Sequence, residues 1–139
     1  MIKSIAEGDH VGRKCSNYRF RFKLGKSYQV KEMVRLSEGM WENNLLTDAA
    51  MERTIAELKN FKNIIKSHSV STTIALATAA VRNASNGEEF LRMIYSETGF
   101  DFTVITGEEE AYLDYLGVIN SIDINDCIII DTGGGSTEL

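Results

Sequence analysis

From Thr47 onward the chain alternates between helical and strand-like hydrophobic patterns, and this alternation restricts the folds open to it. Met51, Ile55, Leu58, Phe61 and Ile65 recur at spacings of four, three, three and four. That is one face of a helix of about five turns. Thr47 is placed to cap it, with Asp48 in the first turn, and it ends near Ser67 and His68. "STTIALAT" is short, β-rich and apolar, and reads as a buried strand. A second helix carries Phe90, Leu91, Ile94 and Tyr95 and stops at Gly99. "FTVIT" is another strand, and "GEEEAYLDYLGVINS" a helix with Ala111, Tyr112, Tyr115, Leu116 and Ile119 behind its acids. "DIND" is a turn, and "CIIID" reads as a central buried strand. Strands separated by helices pair side by side through crossovers, which puts helices on the faces of the sheet.

The N-terminal part has a different pattern. "KSIA" suits a short first strand, and "YRFRFKL" alternates apolar and basic residues with period two. After the turn "GKS", "YQVKEMVRL" looks like its antiparallel partner, and "SEGMWENNLL" like a loop. The whole therefore predicts an α/β domain with a mixed sheet flanked by helices. Proline is absent, so no proline-rich linker divides residues 1–139. A chain of 139 residues can bury a real core.

Charge is unevenly spread. Residues 1–40 hold nine Lys/Arg against four Asp/Glu, and the rest hold six against sixteen. No basic residue follows Arg92, while ten acids do. That disfavours nucleic acid as a partner and suits a divalent cation. No run of 18 apolar residues suggests a membrane span, and the first residues lack a signal-peptide pattern. Cys15 and Cys127 are too few and too distant for a disulfide framework, so a reducing cytoplasm is expected, with Cys127 a small core residue. His10 and His68 have no partners at metal spacing and are expected on the surface, and Trp41 is expected to be a packing anchor.

Three motifs bear chemistry. In "IIIDTGGGSTE" a strand runs into small residues whose N–H groups are free to converge on an anion. Asp131 stands at the strand end where it can hold a metal or its water. Ser136 and Thr137 add hydroxyls and Glu138 a second acid. The same letters suit a plain glycine turn. They do not form a P-loop, because no lysine follows the glycines. The helices before this turn also set the chain apart from all-β aspartic proteases, which share "DTG". In "TGEEEAYLDYLGV" three adjacent acids open a helix. The helix dipole accounts for acids there, but three repel one another, and successive positions turn by about 100°. One or two can therefore face a cleft and activate a water. In "ALATAAVRNASNG" a small-residue strand end presents Arg82, which is either a surface cation or a bidentate phosphate ligand.

In this order the three motifs closely resemble the exopolyphosphatase / guanosine pentaphosphate phosphatase family, from about Ser27 to Leu139. "YQVKEMVRLSEGM" and "NGEEFLRMIYSETGFDFTVITGEEEAYLDYLGV" carry the likeness further. The resemblance implies a ribonuclease-H-like sheet of the actin-like ATPase superfold, here most of a first domain. It implies that Glu110 is the catalytic base and that Arg82 binds phosphate. Gly133, Gly134, Gly135, Ser136 and Thr137 would form the second phosphate loop, and Asp131 and Glu138 would lie near Mg2+. The implied reaction is attack of water on a terminal phosphoryl group of inorganic polyphosphate or guanosine pentaphosphate.

Residues 1–24 depart from the family. It opens with acid-x-Gly-Ser-Asn-Ser and an arginine, whereas "CSNYR" keeps Ser16, Asn17 and Arg19 but lacks the glycine and the second serine. A cysteine where glycine would stand limits how closely backbone approaches a phosphate. The rest of the first domain and a second domain are expected to be missing, so turnover is expected to be weak or absent. The alternatives are a non-catalytic phosphate-binding or interaction module, as a homodimer or with a separate second half, and another phosphotransferase of the same fold.

Overall fold

The chain is described by a computed structural model covering residues 30, 32–40, 43–122, 126–132 and 137–138. Helix α1 spans Asp48–Ser67. The Thr47 hydroxyl accepts from the Ala50 N–H at 3.3 Å, which fixes its start. Met51, Ile55, Leu58 and Phe61 are buried along one face as their spacing predicts. The stripe then passes through Ile64 rather than Ile65. Both positions are compatible with a helical repeat, and Ile64 is the one packed on the core.

Strand β1 (Ala75–Ala77) leads into the single-turn helix α2 (Ala79–Arg82), and helix α3 (Gly87–Thr98) follows. Gly99 closes α3 with φ +75°, a left-handed stop that glycine takes without strain. Strand β2 (Phe102–Val104) pairs with β1 in parallel, with Ala75 opposite Phe102 and Ala77 opposite Val104. Helix α4 covers Gly107–Ser121. Strands β3 (Asp131–Thr132) and β4 (Thr137–Glu138) form an antiparallel pair that sets Asp131 opposite Glu138. Helix α4 packs against β4.

The core lies where α1 and α3 meet beside β1. Leu46, Met51, Ile55, Leu58, Phe61, Ala77, Val81, Phe90 and Ile94 form one buried cluster. Two threonines are sealed into it, and each satisfies its hydroxyl one helical turn back. Thr54 donates to the Ala50 carbonyl at 2.8 Å, and Thr98 to the Ile94 carbonyl at 2.7 Å. Asn86 precedes α3 without capping it, because its amide is engaged elsewhere. It accepts from the Leu46 N–H at 2.9 Å and donates to the Leu46 carbonyl at 3.0 Å. The loop before α1 is thereby tied to the start of α3.

Several sequence expectations are corrected. The described residues form two separate two-stranded sheets, one parallel and one antiparallel, rather than one mixed sheet. "CIIID" is no central strand. Ile128 is 83% and Ile130 65% exposed, and only Asp131 pairs. An apolar run becomes a buried strand only when neighbours cover both faces, and no described residue covers these two. Cys127, in the same run, is exposed rather than in the core. On α4, Tyr112 and Tyr115 are exposed and stack on each other, because no described layer packs over that face. The described part of "YQVKEMVRL" forms no strand. Val30 and Leu36 pack on the core while Arg35 turns the chain with φ +48°. "KSIA", "YRFRFKL", Cys15, His10, Trp41 and the stretch Ser16–Arg19 lie outside the described residues. His68 is exposed, as its isolation in the sequence suggests.

Candidate active site

Parallel pairing of β1 with β2 puts the segments after both strands at one end of the sheet, where open α/β sheets place their ligands. After β1, helix α2 lasts one turn and ends on Arg82. After β2, the chain turns at Ile105 and Thr106 and starts α4. Arg82 Nη1 donates to the Ile105 carbonyl at 2.7 Å and to Glu110 Oε2 at 3.3 Å. The Arg82 side chain is 24% exposed and the Glu110 side chain 16%. Arg82 is therefore not the free surface cation that it could be when read in isolation. Its other terminal nitrogen, Nη2, donates no hydrogen bond among the described residues and lies beside Gly107.

The three acids at the start of α4 divide their work. Glu109 closes a capping box: Thr106 Oγ1 accepts from the Glu109 N–H at 3.1 Å, and Glu109 Oε2 accepts from the Thr106 N–H at 2.9 Å. Glu108 stays exposed. Its carboxyl is held below the usual carboxylate range first by its own backbone N–H, then by the Thr106 hydroxyl, with a smaller pull from Arg82. Glu110 turns inward to Arg82. One acid caps, one faces water and one turns to Arg82, so the repulsion among them is relieved by direction.

A concave surface lies along α4, beyond Glu110. A cleft of about 440 Å³ is lined by Ala111, Asp114, Tyr115, Cys127, Ile129 and Asp131, among others. Asp131 is half-buried at the start of β3. Thr137 is exposed on β4. Gly133, Gly134, Gly135 and Ser136, the rest of the phosphate loop expected from the sequence, lie outside the described residues, as does the side chain of Glu138. The structure thus brings Arg82 and Glu110 into contact and places Asp131 in the cleft that α4 lines. Among the described residues no three His, Cys, Asp or Glu converge as a metal cluster. Two carboxylates, Asp114 and Asp131, line the cleft, and a hard cation such as Mg2+ takes one or two carboxylates together with water and phosphate oxygens. The donor chemistry fits.

Sequence reasoning missed four contributors. The Ile105 carbonyl is backbone and leaves no sequence signal. Thr106 and Glu109 did carry one, the Thr-x-x-Glu spacing of a capping box. Asp114 follows Glu110 by four residues, which places both on one side of α4.

The fold and the site together define an α/β protein that meets at the carboxyl ends of two parallel strands with one guanidinium and one carboxylate. More particularly, the chain belongs to the Ppx/GppA phosphatase family, whose model matches residues 26–139. Among solved structures it is similar to the Aquifex aeolicus member of that family, at 35% identity and a TM-score of 0.68, over 81% of this chain and 38% of the other. It is also similar to an exopolyphosphatase from Cytophaga hutchinsonii, at 33% identity and a TM-score of 0.58, over 63% of this chain and 29% of that one. A bifunctional 3-dehydroquinate synthase/phosphatase of Fusobacterium nucleatum is 36% identical over 116 residues, 80% of this chain and 18% of the relative. The chain therefore spans less than a fifth of that relative and under two fifths of these structures. No described helix is long and apolar enough to cross a membrane.

Proposed function

We propose that this chain carries part of a phosphohydrolase site that releases terminal phosphate from inorganic polyphosphate or guanosine pentaphosphate, on a ribonuclease-H-like sheet of the actin-like ATPase superfold. The observation that carries this reading is the largely buried contact between Arg82 and Glu110 at the ends of β1 and β2. Arg82 is positioned to take phosphoryl oxygens and offset the charge that develops on them. Glu110 is positioned to orient a water and accept its proton. The two are paired through Nη1 before a ligand arrives, which leaves Nη2 as the donor for a phosphate. The short bond to the Ile105 carbonyl holds Arg82 in place while Glu110 turns to the water. Asp131, with Glu138 opposite it in the hairpin, would hold Mg2+. When bound, the cation supplies charge neutralisation on phosphate oxygens. Gly133, Gly134, Gly135 and Ser136, with Thr137, would supply donors to the phosphate chain. Family membership and the likeness to an exopolyphosphatase support the reaction class.

The test is phosphate release from polyphosphate in the presence of magnesium. Release lost in Glu110→Ala supports the reading, and release unchanged in that variant rejects it. A second reading, an interaction module, is favoured by the exposed Ile128 and Ile130. Sedimentation showing a strict monomer counts against it.

A further inference from the structure

Gly107 is a glycine without a backbone reason to be one. It is the first residue of α4, and among the described glycines only Gly39 and Gly99 have a positive φ. Alanine would serve a helix better there. Its surroundings, rather than its conformation, bear on the site. Among the described residues, a Cβ on Gly107 would meet one atom within 4 Å, Arg82 Nη2 at 3.9 Å. Cβ bonds tilt toward a helix's N-terminus, so a longer side chain at this position would extend toward the guanidinium. Both hydrogen bonds of that guanidinium leave from Nη1, and the edge carrying Nη2 is the one beside Gly107.

We propose that Gly107 is a specificity-determining residue, which leaves the Nη2 edge of Arg82 open to an oxyanion as large as a phosphoryl group. This rests on the reading of Arg82 as a phosphate ligand. Nη1 anchors the guanidinium on Ile105, and Nη2 is the donor offered to the ligand. A side chain at position 107 narrows that approach without touching the anchor. Small size at this position therefore sets how bulky an anion can reach the arginine.

The experiment is calorimetric titration of inorganic tripolyphosphate into the wild-type chain and five variants, each checked by its far-UV melting curve. Gly107→Ala is expected to bind within about twofold of wild type, because its Cβ makes only ordinary contact. Gly107→Leu is expected to bind about tenfold more weakly or worse, the loss of one charge-assisted contact. Gly107→Asp adds an acid where the helix dipole favours one, so it folds and competes for Arg82. It decides the matter if the leucine variant melts early. Gly117→Leu, on the same helix and with no described atom within 4 Å of a Cβ there, is expected to bind as wild type. Wild-type affinity in the folded Leu and Asp variants overturns the role of Gly107. If Arg82→Ala binds as tightly as wild type, or wild type does not bind at all, the phosphate reading of Arg82 falls and this inference falls with it.

Discussion

Arg82 and Glu110 are separated by 28 positions in sequence and meet at 3.3 Å in space, both more than three-quarters buried. Neither helix makes this contact alone. It exists because β1 and β2 run parallel in register, so that α2 and α4 begin from the same end of the sheet. The shorter bond from Arg82, to the Ile105 carbonyl, joins the guanidinium to the chain that leads into α4.

The two partners are expected to differ when replaced. Glu110→Gln keeps the shape and removes the proton acceptor, so phosphate release is expected to fall by about 10²- to 10⁴-fold. Stability should fall by only about 1 kcal/mol, because Arg82 keeps its carbonyl partner. Arg82→Lys keeps the charge but loses the planar fork, which cannot then serve Ile105 and a phosphate together. A drop of roughly 10²-fold is expected. Initial rates and thermal melts of both variants check this, and a lysine variant with wild-type rates would show that the fork is not needed.

Among the described glycines, Gly87 is the one where an added side chain meets backbone most closely. A Cβ there would clash with the Val81 carbonyl at the junction of α2 and α3. The obstacle is backbone and cannot swing aside. Gly87→Ala is therefore expected to cost about 1–3 kcal/mol, like other overpacked sites. It should also displace α2 and with it Arg82. Chemical denaturation gives the first quantity, and loss of tripolyphosphate binding beyond the stability change reports the second.

The sequence made α1 and α3 legible because both have a periodic face and a terminal signal, whereas the single turn of α2 read as the end of a strand. Thr47 caps α1, Gly99 stops α3, and the apolar stripe of α1 runs four residues deep into the core as spaced. The strands were legible in place but not in extent, since "STTIALAT" yields only Ala75–Ala77. Strand length depends on partners, which local composition does not specify. For the same reason Ile128 and Ile130 read as buried and stand exposed. In the candidate site the residue types were readable, and the contact of Arg82 with Glu110 was not, because it is a product of parallel pairing. The tie between Asn86 and Leu46 leaves no pattern at all, since it joins one side-chain amide to backbone 40 positions away.

The capping box offers a test of how α4 is aimed. Thr106→Ala removes the hydroxyl that accepts from Glu109 N–H and should cost about 1 kcal/mol, with Thr106→Ser restoring most of it. The Glu108 carboxyl should respond as well. Its pKa is lowered by its own N–H and next by Thr106, with Arg82 behind them. Its titration midpoint, followed by carbon NMR, should rise in Thr106→Ala and rise less in Arg82→Ala. The reverse order would mean that Arg82, not the cap, governs the charge at this helix end.

The last prediction concerns acid. Lys59 of α1 donates to Glu97 of α3 at 2.8 Å, and this bond, followed by the lysine's charge, holds the Glu97 carboxyl below its usual range. A carboxylate whose pKa is lower folded than unfolded adds stability above its unfolded pKa, and that gain is lost as pH falls through the folded value. The tie between the two helices is thus fully present at neutral pH and disappears only below the ordinary carboxylate range. Both side chains are half exposed, so the gain is small and salt weakens it. The melting-temperature difference between wild type and Lys59→Ala should therefore be constant from pH 7 to about 5 and shrink below about 4. At about 1 M salt it should be reduced at every pH. If the difference persisted undiminished in acid, the contribution of Lys59 would lie in its aliphatic stem packing on α3 and not in its charge.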